Sequence, residues 1–362
     1  MPSPVPYDYA KYHGLGNDYL VLDPARFTAR FSLTGPALAS EAVRLICDRH
    51  RGIGADGILL GPLPTRNGAA GVRIFNPDGT EAEKSGNGLR IFARYLWDRN
   101  FTGGKSSFPI ELPSGPVRAE VKDYRGRLVS VGVGRYSFQS RDIPVAGEAR
   151  EAINEILEVG AERLTVCCVT VGNPHCVVVD RNPSPEIARR LGPLIERHAW
   201  FPHRTNVQFM RARDRRSIEI QVWERGAGYT LASGTSACAA AAVAVRLGLC
   251  EWPVAVHMPG GTLTVAYVPG SGLELTGPVA AVGSGEFAPE LLSAIGLIRS
   301  ERGMARPAAS RAAPRTTKPK PKSKPKRASG KNTAETKKKQ SKKDKGTKKK
   351  KGKKGSKKHK KR

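Results

Sequence analysis

The sequence predicts an α+β protein made of two related halves, followed by a basic tail. Three observations predict it. Short β-branched segments are interleaved with a few helices without strict alternation, which argues against a doubly wound sheet. Two segments repeat one pattern of strand, glycine-rich turn, Ser-Gly and helix, with their serines at positions 85 and 233. Charge is divided along the chain. Residues 306–362 hold 27 of the 61 basic residues and 2 of the 32 acidic ones, so the tail carries +25 and the body only +4.

Taken in order, strands are expected at 72–75, 117–121, 128–133, 164–171, 176–179, 218–222, 254–258 and 263–268. Each is short, β-branched and often alternating. Turn signals such as Asn76-Pro-Asp-Gly79 and Pro259-Gly-Gly261 separate them. Helices are expected near 37–49, 88–99, 149–159, 185–198, 235–247 and 289–299. The helix at 235–247 is rich in Ala and Val on nearly every face, which predicts burial inside its domain. The repeated segments run from Phe75 to Arg90 and from Trp223 to Cys238. They divide the chain into an N-terminal domain, 7–135 completed by about 277–300, and a C-terminal domain, 136–276, with a cleft between them.

Several classes are excluded. Met1–Ala10 has no basic region followed by an apolar run, so no signal peptide is expected. The most apolar stretch, 231–245, is too short and too rich in Ala and Ser to span a membrane. Six cysteines without a CxxC pair read as reduced, mostly buried thiols in a cytoplasmic protein, with no metal site.

The chemistry gathers at the two Ser-Gly turns. A loop of small residues opening a helix exposes free backbone N–H groups, and with the helix dipole these form an anion site. Ser85-Gly86-Asn87-Gly88 and Ser233-Gly234-Thr235-Ser236 both fit. By itself this pattern is better served by two ordinary serine N-caps.

The surrounding motifs narrow the choice. Lys11–Tyr19, Arg51–Gly57, the Asn76 and Ser85 stretch, Gly172–Cys176, Arg204–Val207 and Trp223–Gly226 occur in this order. Together, over roughly residues 8–285, they closely resemble diaminopimelate epimerase, a cofactor-independent amino-acid epimerase family of lysine and peptidoglycan biosynthesis. The resemblance implies two pseudo-symmetric domains, each a curved sheet around a central helix. The substrate, a diaminopimelate-like amino acid, would lie between them. Carried over by motif, its contacts are Asn17, Asn76, Gly86, Asn87, Asn173, Asn206, Glu224, Arg225, Gly234 and Thr235, with His175 beside the reacting centre. The roles suit the chemistry: the side-chain amides and Glu224 can take up ammonium donors, and the planar fork of Arg225 can grip a distal carboxylate. Family members are often dimers, and no residue here marks such an interface.

One departure bears on the reaction. The family inverts a carbon centre with two cysteines, one on each face of the substrate, and those positions are Ser85 and Ser233 here. A hydroxyl stays protonated at neutral pH unless an adjacent base activates it. Lys84, Tyr229 and Ser236 also differ from the family's usual neutral, Glu and Gly residues, which points to natural divergence. Two other functions follow as alternatives: a silent or altered-chemistry homologue that still binds an amino acid, and a polyanion-binding protein. The second rests on the tail. Its Pro-Lys repeats and lysine runs lack aromatic and almost all aliphatic residues, so disorder and non-specific nucleic-acid binding through phosphates are expected of it. No lipidated or amphipathic anchor accompanies it.

Overall fold

A computed structural model describes residues 8–26, 38–179 and 182–296. The expected tail and the end of the last expected helix lie outside these residues.

The first half runs β1 (Tyr9–Gly14), β2 (Asn17–Leu22), α1 (Ser40–Cys47), β3 (Ile58–Leu63), β4 (Ala70–Phe75), β5 (Glu81–Ala82), α2 (Gly86–Asp98), β6 (Ser107–Leu112), β7 (Gly115–Val121) and β8 (Leu128–Gly134). The second runs β9 (Glu155–Val159), β10 (Glu162–Thr170), β11 (Pro174–Val179), α3 (Pro185–Glu196), β12 (Asn206–Asp214), β13 (Ser217–Glu224), β14 (Gly228–Thr230), α4 (Gly234–Arg246), β15 (Val254–Met258), β16 (Gly261–Val268) and β17 (Gly272–Pro278). β18 (Ala280–Gly285) and α5 (Pro289–Ala294) follow.

The pairing shows the duplication. In the first half β1 and β2 are antiparallel, β2 and β3 parallel, β3 and β4 antiparallel, β4 and β6 parallel, and β6, β7 and β8 antiparallel, with β5 against β4. The series from β10 to β17 repeats this order, with β14 against β13. Parallel neighbours need a crossover, and here each crossover carries a helix: α1 and α2 in one half, α3 and α4 in the other. β18 adds to β1 and β9 adds to β10, both antiparallel. An antiparallel β8–β17 pairing joins the halves into one 18-stranded sheet among the described residues.

Each half wraps its sheet around a central helix. α2 buries Leu89, Ile91, Phe92, Ala93, Tyr95 and Leu96, and α4 buries every residue from Ala237 to Ala244. Both belong to one continuous core, which includes Val131 and Leu275 from the joining strands. α3 and α1 pack outside it, over separate apolar clusters.

One expected helix is a strand. Residues 149–159 form an irregular segment and then β9, whose burial alternates with Leu157 and Val159 inward and Ile156 and Glu158 outward. Asn154, at φ 53°, turns the chain into it. Good helix formers there are overridden by pairing with β10. Strands β1, β2, β3, β5, β6, β12, β14, β17 and β18 were not expected. β3, Ile58-Leu-Leu-Gly-Pro-Leu63, is apolar without alternation because its first residues are buried on both faces.

Candidate active site

The two central helices point their N-termini at each other. A Cβ built on Gly234 would stand 3.7 Å from the Gly86 Cα and 2.8 Å from Leu275 Cδ2. One built on Gly86 would stand 3.9 Å from the Gly234 Cα and 3.0 Å from the same methyl. The two ends thus stand within van der Waals reach of each other, and a side chain at either glycine would press on the Leu275 methyl. Their free N–H groups and positive dipole ends therefore converge, an arrangement that like charge disfavours until an anion sits there.

The residues before these glycines are the N-caps Ser85 and Ser233, in similar extended conformations. Their surroundings differ. Ser85 Oγ accepts from Gly88 N–H at 3.0 Å and lies 3.1 Å from the Tyr19 hydroxyl. Burial pushes that phenol up to about 12, so it is neutral and able to donate. Ser233 is buried and makes no capping bond; it sits against Glu224 instead. Burial raises the Glu224 carboxyl above its ordinary range, an effect the Ser233 hydroxyl partly offsets.

Two chains of hydrogen bonds run through the sequence-derived residues. In the first, Arg90 Nη2 donates to Asn87 Oδ1 (2.6 Å), Asn87 Nδ2 to Asn17 Oδ1 (3.0 Å), and Asn17 Nδ2 to Asp56 Oδ2 (3.0 Å). A two-residue turn, Leu15-Gly16, puts Asn17 at the start of β2. In the second chain, His175 Nε2 lies 2.9 Å from Asn173 Oδ1, and Gln208 Nε2 reaches both His175 Nδ1 (3.0 Å) and Ser236 Oγ (2.9 Å). His175 is fully buried, and burial pulls its ring down to about 3. It is neutral, with both nitrogens engaged, so its part is to hold the Asn173 amide.

The remaining sequence-derived residues have local partners of their own. Asn206 opens β12, donating to Pro174 O (2.9 Å) and accepting from Arg225 N–H (2.9 Å). Arg225 is exposed and reaches His203 O at 3.2 Å. Thr235 is half-buried in the first turn of α4. Asn76 bonds Thr80 inside its own turn, just after β4. Lys84 donates to Val133 O, and burial lowers its pKa. All six cysteines are buried thiols, and Cys238 lies deep in α4 rather than at the cleft.

Sequence reasoning assigned no role to Tyr19, Asp56, Arg90 and Gln208. The first three stand inside motifs already quoted, but which way they point depends on the fold. Gln208 did carry a signal: it is an amide within the apolar run Val207-Gln-Phe-Met210 of β12.

The same arrangement of halves occurs in known proteins. The family model for diaminopimelate epimerase matches residues 9–139 and 167–282. Diaminopimelate epimerase 2 of Nostoc sp. is 48% identical over 285 residues, covering 79% of this chain and 97% of that protein. Diaminopimelate epimerase of Moorella thermoacetica is 37% identical over 282 residues, covering 77% and 98%. Among solved structures, a hydroxyproline epimerase from Agrobacterium vitis superposes with TM-score 0.55 at 16% identity, covering 77% of this chain and 91% of that one. Methylitaconate-delta-isomerase superposes with TM-score 0.52 at 12% identity, covering 77% and 94%. These two likenesses concern the fold. With relatives this similar along nearly their whole length, and a family model matched in both halves, the chain belongs to the diaminopimelate epimerase family.

Proposed function

We propose that the cleft binds a diaminopimelate-like diamino dicarboxylate and that the protein acts on it as a PLP-independent epimerase of low turnover, interconverting the LL and meso forms. The observation that carries this reading is the meeting of two glycine-led helix N-termini, each capped by a serine. The α-carboxylate would lie on the N–H groups of Gly86–Asn87 and Gly234–Thr235. Asn17, Asn76, Asn173, Asn206 and Glu224 would take the ammonium groups, and Arg225 at the rim the distal carboxylate. His175 would act through Asn173.

In this scheme Ser233 takes the α-proton while its own proton passes to Glu224. Ser85, whose oxygen is held by Gly88 N–H and Tyr19, returns a proton on the opposite face. Hydroxyls are poor substitutes for thiols here, and each mismatched acid or base costs on the order of 100- to 10,000-fold. A second reading, a binding protein without turnover, is favoured by one observation. The hydroxyl nearest Ser85 is a neutral phenol, so that serine has no base beside it.

Solvent deuterium exchange at the α-carbon of LL- and meso-diaminopimelate separates the readings, with Ser85→Cys/Ser233→Cys run beside the native chain. Slow exchange by the native chain and rapid exchange by the variant support the epimerase. Exchange by the variant alone supports the silent binder. Exchange by neither removes the substrate assignment. The same reading puts the protein in the cytoplasm and divides it into 7–135 with 277–300, and 136–276. It leaves 306–362 as a non-specific nucleic-acid contact, tested by salt-sensitive retention on DNA, and a homodimer to be tested by sedimentation.

A further inference from the structure

Arg90 is a fully buried side chain one turn into α2. Among the described residues no carboxylate pairs with it. Its Nη1 donates to Gly86 O at 3.2 Å and its Nη2 to Asn87 Oδ1 at 2.6 Å, while its Nε has no partner. The fold makes room for it by omitting side chains. A Cβ at Gly14 would lie 3.1 Å from Nη2, and one at Gly277 would lie 3.2 Å from Nε. A buried, unpaired cation costs several kcal/mol, and an apolar side chain would fill the space more cheaply. Stability does not account for it.

Its position in the hydrogen-bond chain does. A guanidinium only donates and a carboxylate only accepts. Arg90 stands at one end of the chain. Asp56 stands at the other, its Oδ2 accepting from Asn17 Nδ2 and Asp18 N–H (3.1 Å) and its Oδ1 from Arg49 Nη2 (2.7 Å). Between a pure donor and a pure acceptor, each amide can point only one way. Asn87 must turn Oδ1 to Arg90 and Nδ2 to Asn17, and Asn17 must turn Nδ2 to Asp56.

We propose that Arg90 and Asp56 are positioning residues that lock the amides of Asn87 and Asn17 into the single orientation presented to the ligand. The role rests on the substrate reading above, in which these two asparagines meet the diamino acid. Locking fixes which hydrogens and lone pairs remain for the ligand and removes the cost of ordering the amides on binding.

The test uses the full-length chain with selective 15N-asparagine labelling, together with calorimetric titration by meso-diaminopimelate. The variants are Arg90→Met, Arg90→Lys and Asp56→Asn. In the ligand-free native protein the Nδ2 protons of Asn17 and Asn87 are expected to exchange slowly. In Arg90→Met and Asp56→Asn they exchange fast, and affinity for meso-diaminopimelate falls about tenfold or more. Arg90→Lys, again a pure donor, recovers slow exchange and most of the affinity. A merely structural Arg90 would lower the melting temperature without that selective rescue. Slow exchange that persists in both Arg90→Met and Asp56→Asn overturns the proposal. Should Arg90→Met not fold, Asp56→Asn decides alone, since it is isosteric. Should the native chain not bind meso-diaminopimelate, the substrate reading fails, while the exchange measurement still decides whether the lock exists.

Discussion

His175 gives the protein a pH dependence that can be worked from the structure. The ring is wholly buried, with both nitrogens engaged, and titrates at about 3 when folded against 6.5 for an ordinary histidine. Between those values the unfolded chain binds a proton at this position and the folded chain does not. Stability therefore rises with pH across the window and is lost as the pH falls. Each unit is worth about 1.4 kcal/mol, so acidifying from about pH 6.5 to about pH 5 costs about 2 kcal/mol from this residue alone. Urea unfolding followed by tryptophan fluorescence, on the native chain and on His175→Gln, isolates the effect. Every other titration is common to both proteins and cancels in the difference. The variant starts less stable at neutral pH, having lost a buried hydrogen-bond partner, and the gap narrows by about 2 kcal/mol on acidification. A constant gap across that range would mean that His175 is protonated in the folded state, and the argument that it is a neutral holder of Asn173 would fail.

Other expectations follow from the same geometry. Gly234→Ala places a methyl group 2.8 Å from buried Leu275 Cδ2 and between the facing helix ends, so unfolding free energy should drop by about 1–3 kcal/mol, and calorimetry should find ligand affinity lost. Tyr19→Phe removes the 3.1 Å contact with Ser85 and should slow α-proton exchange while leaving affinity for meso-diaminopimelate nearly unchanged, a split read by exchange NMR and titration. Glu224→Gln removes the carboxylate beside Ser233, and exchange should lose its rise with pH through the elevated Glu224 pKa, as a pH series of initial rates would register. Ser85→Cys/Ser233→Cys should speed exchange by at least about 100-fold.

Much of the architecture was legible in the residues. The two Ser-Gly turns predicted paired units, the apolar all-round helix after Ser233 predicted its own burial, and the family resemblance implied a central helix in each half. Both appear as α2 and α4. Strands with clean alternation, such as β7, were found close to their expected bounds. β3 and β12 were missed because strands covered on both faces lose the period of two, and 149–159 was misread because helix propensity is a local preference that sheet pairing overrode.

By itself the sequence determined the chemical inventory: which side chains donate or accept, that glycines lead both helices, and that hydroxyls stand at both caps. Those properties are covalent and travel with the residue. How they combine follows from packing across the fold. It brought Gly86 and Gly234 into contact across 148 positions, aimed Arg90 inward at Asn87, and set Ser85 beside a phenol and Ser233 beside a carboxylate. Such relations depend on packing between residues distant in the chain. Burial, which turns His175 neutral and, among the described residues, leaves Arg90 without a counter-charge, likewise exists only once the sheets have closed around the two helices.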